Sequence, residues 1–178
     1  MRHLLVFTLL LLTSCGFHLR GSVALPPTLS DIAVKGATTD IAPDLRIALK
    51  NAGVRVVDSA TMVLQLRAEQ YGKRVLSVDT LGRAQEYGLS YTVRFSLKDM
   101  AEGKNGVVWI SDSVVTKTRD LRFDAAAVLG TANEQTQLNA EMRHDAVLQI
   151  LRQLQYTKKP DSKPMKPVEQ PEVISESK

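Results

Sequence analysis

The chain has 178 residues, which is enough for one domain with a substantial core and short for two. Hydrophobic residues make up 44% of it and charged residues 24%, values that are typical of a globular protein and exclude a disordered chain or one with many membrane spans. The net charge of +4 falls well short of a nucleic-acid-binding balance and is only weak evidence for anionic partners such as phosphate or lipid headgroups.

The N-terminal segment has the pattern of a secretion signal. Arg2 precedes an apolar stretch at residues 4–12, which is too short to span a bilayer because a span needs about 20 apolar residues. The following LTSC (12–15) resembles the lipobox of bacterial lipoproteins, in which the signal is cut before the cysteine and the new N-terminus is acylated. We expect residues 1–14 to be a signal peptide and Cys15, the only cysteine, to be lipidated. The alternative is an ordinary signal peptide with an incidental cysteine.

The first part of the mature chain predicts strand, helix and strand. Ile32 and Val34 alternate with smaller or polar residues within residues 25–36, which predicts a short strand. Residues 40–53 predict a helix that ends at Gly53, a residue suited to a left-handed conformation, and residues 54–57 predict a second short strand. The residues that share one face of this helix are Leu45, Ala48, Leu49 and Ala52.

Three longer segments predict a meander of antiparallel strands at residues 62–79, 86–99 and 107–123. The first predicts a bulge at residues 70–72, and the third predicts one near Asp112. Even-numbered apolar residues are expected to share the core face of the first strand: Leu64, Leu66, Ala68, Leu76 and Val78. The second strand alternates most cleanly, with its core face at Tyr87, Leu89, Tyr91, Val93, Phe95 and Leu97.

The period changes to that of a helix at residues 124–155, whose firm part we expect to begin near Ala132 or Asn133. Residues 157–178 hold four prolines among polar and charged residues and are interpreted as a disordered tail. The predicted fold is therefore one α+β domain at residues 15–156, with a mostly antiparallel mixed sheet of four or slightly more strands and two helices on one face. The stripe expected to face the sheet is Met142, Ala146, Val147, Ile150, Leu151 and Leu154.

The sequence offers no catalytic or metal site. No pair of histidine or cysteine residues has metal-ligand spacing, and His144 is interpreted as a solvated side chain on the long helix. GKNG (103–106) lacks the context of a phosphate loop and is interpreted as a hairpin turn. The alternating aromatic residues of the second long strand fit a core better than a base-stacking surface. We therefore predict a protein that is not an enzyme and needs no cofactor.

The basic residues are more informative. In an antiparallel meander, the turn at residues 79–86 and the end of the third long strand can meet at the same end of the sheet. That arrangement would bring Arg83, Arg119 and Arg122 together, with Lys73 and Arg74 nearby. Such a cluster could hold phosphate groups, since the guanidinium fork pairs with phosphate through two hydrogen bonds. The alternative is a solvated rim without a ligand.

Several stretches, in this order, resemble the lipopolysaccharide-assembly lipoprotein family, or LptE-type proteins, of the Gram-negative outer membrane. They are CGFHLRG (15–21), ALPPTLSDIAV (24–34), LRIALKNAGVRVV (45–57), LGRAQEY (81–87) and ANEQTQLNAEMRHDAVLQILRQL (132–154). The resemblance covers essentially the whole mature domain. One departure concerns the start of the last helix, where some relatives have a lysine before NEQ and this chain has Gly130-Thr131-Ala132.

The resemblance implies a subunit without catalytic activity. Members sit as a plug inside a large outer-membrane β-barrel of the LptD type, expected here at one to one, and help to assemble it. They also bind lipopolysaccharide through basic residues at one end of the sheet. The resemblance implies lipidation at Cys15 and outward sorting, since Gly16 is not the aspartate that retains enteric lipoproteins at the inner membrane. The resemblance implies Arg83, Arg119 and Arg122 as candidate lipopolysaccharide contacts, and their neighbours Lys73 and Arg74 are further candidates.

Two other classes of function are considered. A free-standing lipoprotein that faces the periplasm and binds another envelope ligand would have the same anchor but no barrel partner. A lipid-anchored hydrolase would need a nucleophile and a base, which the sequence does not offer.

Overall fold

The structure, a computed structural model, describes residues 24–36, 39–101, 106–124 and 127–160. The predicted signal peptide, Cys15 and nearly all of the predicted tail lie outside these ranges. A short 3-10 turn at Pro27–Leu29 leads into the regular elements. In chain order they are β1 (Asp31–Lys35), α1 (Ile41–Asn51), β2 (Arg55–Val56), β3 (Met62–Val78), β4 (Ala84–Asp99), β5 (Val107–Arg122) and α2 (Val128–Tyr156). The predicted α+β fold is confirmed, with five strands in the sheet.

The sheet has the order β2-β1-β3-β4-β5. The short β1 pairs in parallel with β2 and with the start of β3, whereas β3, β4 and β5 form the predicted antiparallel meander. The end of the sheet at which β3 begins and β4 ends is called the base. The described chain also begins at this end. Thr28, Met62 and Asp99 line one cavity at this end. The opposite end, with the turn at residues 79–83 and the last residues of β5, is called the tip.

Both helices pack on one face of the sheet, here called the helix face, and the core lies between them and β1, β3 and β4. On β4 the predicted alternation is confirmed, since Leu89, Tyr91, Val93, Phe95 and Leu97 are all at most 2% exposed. Helix α1 contributes apolar side chains because its sequence repeats them at helical spacing, and Gly53 ends it at a φ of +84° as predicted. All six residues of the predicted α2 stripe are buried: Met142, Ala146, Val147, Ile150, Leu151 and Leu154.

Helix α2 begins at Val128, after the start of the predicted helical pattern at residue 124 but before its predicted firm part, so that Gly130 lies in its first turn. In that turn the buried hydroxyl of Thr131 donates a hydrogen bond to the carbonyl oxygen of Ala127 over 3.2 Å. His144 is exposed, as predicted. Within the described ranges, no helix is both long enough and apolar enough to cross a membrane.

The bulges of β3 lie elsewhere than predicted. The pairing with β4 shifts between Leu66 and Ala68 and again near Ser77, not at residues 70–72. The extra residue at Arg67 reverses the alternation, so that Glu69, not Ala68, points to the helix face. The predicted even-numbered core face therefore holds for Leu64 and Leu66 and is wrong beyond them. On β5 the predicted bulge near Asp112 is confirmed by the shift opposite Phe95 and Leu97.

Candidate functional site

Strand register brings the predicted basic residues to the tip. Leu89 of β4 pairs with Arg119 of β5, and Glu86 pairs with Arg122, while Lys73 pairs with Leu89 from the β3 side. Arg83 lies in the turn between β3 and β4. All five predicted residues thus share one end of the sheet, but the alternation of the strands distributes them over two faces.

Arg119 and Lys73 point to the helix face and contact α2. The guanidinium of Arg119 donates a hydrogen bond to the carboxylate of Asp145, and its side chain is 37% exposed. The Lys73 ammonium donates to Gln135 Oε1 over 2.8 Å and lies 4.1 Å from the ring centroid of Tyr87. Both cations therefore have partners that attach α2 to the sheet.

Arg83 is ordered by its own turn. Its Nε lies 2.7 Å from Asp79 Oδ2, and the backbone N–H groups of Leu81 and Arg83 donate to Asp79 Oδ1. The hydrogen bond from the Arg83 backbone N–H, with the weaker contribution of the guanidinium, holds the pKa of the Asp79 carboxyl below its usual range. The side chain of Arg83 is nevertheless 72% exposed, so its remaining N–H groups are accessible to a ligand.

Arg122 and Arg74 lie on the opposite side of the sheet, here called the open face. Arg122 is 85% exposed, and its closest acidic atom, Glu86 Oε1, is 4.0 Å away, which is a weak contact. Arg74 crosses the sheet above Gly88, where a Cβ atom would stand 3.3 Å from its Nε. The absence of a side chain at Gly88 thus leaves room for a guanidinium close to the strand.

Exposed apolar side chains, which were not predicted from the sequence, accompany these cations at the tip. Leu81 in the turn is 74% exposed and Leu129 at the start of α2 is 83% exposed. The sequence signal for this apolar surface was the presence of leucine at positions predicted to be a turn or the start of a helix. Exposed apolar residues next to cations suit an amphiphile that combines phosphate with hydrocarbon. The other exposed apolar residues at the tip are Val75, Leu76, Val78 and Val128.

A polar network on the helix face was also missed, because it depends on the bulge at Arg67. The Tyr91 hydroxyl, in a fully buried side chain, donates to Glu69 Oε1 over 2.8 Å, and the backbone N–H of Asp40 donates to Glu69 Oε2 over 2.6 Å. Burial, and then the hydrogen bond to Glu69, raises the pKa of Tyr91 above its usual range. Arg143 of α2 extends the network by pairing with Asp44 of α1 at 2.8 Å.

The described residues hold no group of three or more histidine, cysteine, aspartate or glutamate side chains that could bind a metal ion. The charged side chains at the tip differ in how far their own partners occupy them. Arg83 and Arg122 are largely free to contact an anion, whereas Arg119 and Lys73 are engaged with α2.

Known proteins resemble this chain over most of its length. The profile of the family described as "LptE: Lipopolysaccharide-assembly" matches residues 26–154. The LPS-assembly lipoprotein LptE of Pectobacterium atrosepticum is 28% identical over 166 residues, which is 86% of each chain.

Solved structures share the fold. The uncharacterized lipoprotein B from Nitrosomonas europaea is 30% identical, with a TM-score of 0.63, and the match covers 79% of this chain and 90% of that one. The rare lipoprotein B from Shewanella oneidensis has a TM-score of 0.60 at 23% identity, over 70% of this chain and 92% of that one. A minor lipoprotein from Acinetobacter baumannii has a TM-score of 0.61 at 22% identity, covering 76% of this chain and 100% of that one. The last two likenesses concern the fold alone.

Proposed function

Because the chain belongs to the LptE lipopolysaccharide-assembly family, we propose that it is an outer-membrane lipoprotein that binds lipopolysaccharide and helps to insert it into the outer leaflet. The observation that carries the proposal is the family match over residues 26–154, which takes in every strand, all of α1 and nearly all of α2. We further propose that Cys15 carries the lipid anchor and that residues 1–14 are removed as a signal peptide. Residues 157–178 would then be a tail beyond the domain.

The tip has the chemistry that lipopolysaccharide binding requires. Arg83 and Arg122 expose most of their side chains, and an exposed guanidinium pairs with phosphate through two hydrogen bonds. Leu81 and Leu129 offer apolar surface beside them. Lipid A carries both phosphate groups and acyl chains. A protein surface with both cations and apolar side chains can therefore bind one lipid A molecule in competition with the lipid molecules around it. No covalent bond is made or broken in this role.

The dimensions of the sheet suit a plug inside a membrane barrel. β3 has 17 residues and, at about 3.3 Å per residue, spans roughly 50 Å. A bilayer with its headgroups is about 40–45 Å thick. A base held near the periplasmic leaflet by the anchor could therefore carry the tip to the level of the outer leaflet. Among the described residues no strand pairs with the outer edge of β5, which is free to contact a surrounding wall.

The competing proposal is a free-standing lipoprotein that binds another envelope ligand from the same anchor. Purification of the affinity-tagged full chain from detergent-solubilised outer membranes separates the two. We expect a large β-barrel protein of the LptD type to co-purify at one to one. If the chain is recovered without a stoichiometric barrel partner under conditions that keep other outer-membrane complexes intact, the free-standing lipoprotein is favoured.

A further inference from the structure

A second basic surface lies on the open face near the base, far from the tip. Val63 and Gln65 of β3 and Lys98 of β4 line a depression of about 660 Å³, together with Arg67 and Met100. The pairing of Val63 with Lys98 and of Gln65 with Ser96 fixes this side of the depression. Its volume lies in the range of small-molecule sites.

The bulge of β3 contributes one of the two cations. Arg67 is the residue that has no partner in the register with β4, and it is exposed beside Gln65. Bulges commonly redirect a side chain toward a binding site. Here the bulge allows Arg67 to line the open face while Leu66, before it, remains buried in the core.

The depression carries two positive charges that no described residue neutralises. The side chains of Arg67 and Lys98 make no hydrogen bond or ion pair with any residue in the described ranges, and no acidic side chain from those ranges lines the depression. By contrast, Arg94 on the same face pairs with Asp112 at 3.0 Å. Like charges that line one depression repel each other, which favours an anion bound beside them.

Ser96 adds a hydrogen-bonding group beneath these cations. Its side chain has no exposed surface, and its hydroxyl has no hydrogen-bond partner in the part of the chain that the structure describes. Buried hydroxyl groups are normally paired because an unpaired one loses the hydrogen bonds it would make with water. Ser96 also lines the depression, so a ligand oxygen that enters between Arg67 and Lys98 could satisfy it.

We propose that this depression binds the phosphate of an anionic phospholipid headgroup, with Arg67 and Lys98 as the charged contacts and Ser96 as a hydrogen-bond donor. Val63 and Met100 provide apolar wall for the first carbons of the lipid. The choice of a lipid rests on the proposed anchor. Eight residues lie between Cys15 and Ala24, so the two are nine positions apart and at most about 30 Å from each other, and the base would stay close to the membrane surface.

The test uses the full chain reconstituted into vesicles of phosphatidylcholine alone or of an equal mixture with phosphatidylglycerol. Acetylation of Lys98 by acetic anhydride is followed by mass spectrometry and normalised to Lys50, which is exposed on α1. A phosphate beside the Lys98 ammonium favours its charged, unreactive form, so we expect about fivefold slower acetylation in the anionic vesicles. Arg67→Ala and, separately, Ser96→Ala should each remove most of this protection. Arg152→Ala should not, because Arg152 lies on α2, on the other face of the sheet.

A second arm adds inorganic phosphate to the full chain in neutral detergent. Equal protection by free phosphate would support the site but assign its ligand to a soluble anion. Absence of protection in both arms would overturn the proposal. Protection that appears only when a barrel partner co-purifies would also overturn it, because a carboxylate of the partner would then fill the depression. The phosphate arm does not depend on the anchor or on lipopolysaccharide binding, so its failure is distinct from failure of the proposed function.

Discussion

At the scale of single residues, the partner of each cation at the tip decides whether it is available to a ligand. Arg119 and Arg122 are only three positions apart on β5, yet they face opposite sides of the sheet. Arg119 meets Asp145 of α2, while Arg122 has only a 4.0 Å contact with Glu86 and is 85% exposed. An anion would have to displace Asp145 to reach Arg119. Arg122 needs no such exchange.

We therefore expect Arg83→Ala combined with Arg122→Ala to weaken lipopolysaccharide binding about tenfold or more, because two charge-assisted hydrogen-bonding groups are lost. Both side chains are largely exposed, so the fold should remain intact. A direct titration with purified lipopolysaccharide measures the affinity, and circular dichroism checks the fold. The matched control is Lys50→Ala with Arg152→Ala, which removes the same charge from exposed helix positions. Unchanged affinity in the tip variant would exclude these two residues as contacts.

The sequence predicted the end of the sheet at which the basic residues meet, because strand lengths and hairpin turns alone determine that register. It could not predict their partners. Asp145 is 26 positions from Arg119, and Gln135 is 62 positions from Lys73, so these pairs depend on how α2 is rotated against the sheet. The exposed leucines at the tip were missed for a different reason. Single apolar residues in turns carry no periodic signal.

At the scale of elements, the sequence pattern predicted the core face of β4 correctly but that of β3 only as far as Leu66. Strict alternation on β4 identified the core face, since each of its core residues is large and apolar. On β3 the pattern beyond Leu66 contains charged, aromatic and glycine residues, and a single extra residue at Arg67 shifts the alternation. Glu69 then faces the helices, where it accepts hydrogen bonds from Tyr91 and from the backbone N–H of Asp40, the residue just before α1. A bulge of this kind leaves no composition signal that separates position 67 from positions 70–72.

Tyr91→Phe should destabilise the protein by about 1–3 kcal/mol, because a buried hydrogen bond to a carboxylate is lost while Glu69 stays in place. Tyr71→Phe is the matched control. Its hydroxyl lies 3.5 Å from the same Glu69 oxygen and its side chain is 42% exposed, so we expect a loss below about 0.5 kcal/mol. Urea unfolding with an unchanged slope measures both values. Equal losses in the two variants would mean that the bond to Glu69 does not join β3 to β4 as described.

At the scale of the whole molecule, the two basic surfaces lie at opposite ends of the long strands. The base depression involves Arg67 and Lys98 on the open face, and the tip exposes Arg83 and Arg122 about 30–50 Å further along the meander by strand length. A lipid anchor before Ala24 would orient this axis, because the described chain begins at the base. One end would then remain at the membrane surface that holds the anchor, and the other would extend away from it.

The anchor itself can be tested in cells. Acyl chains contribute about 0.8 kcal/mol per buried CH₂, so a chain acylated at both the thiol and the new amine of Cys15 should stay with the membrane, whereas one without them has no comparable attachment. We expect Cys15→Ala to abolish labelling by radioactive palmitate and His18→Ala, three residues later, to retain it. Because a barrel partner could hold the unlipidated chain at the membrane, fractionation alone would not decide the matter. Palmitate that persists on the Cys15→Ala chain would mean that the lipid is attached elsewhere, and the axis from base to tip would lose its proposed orientation.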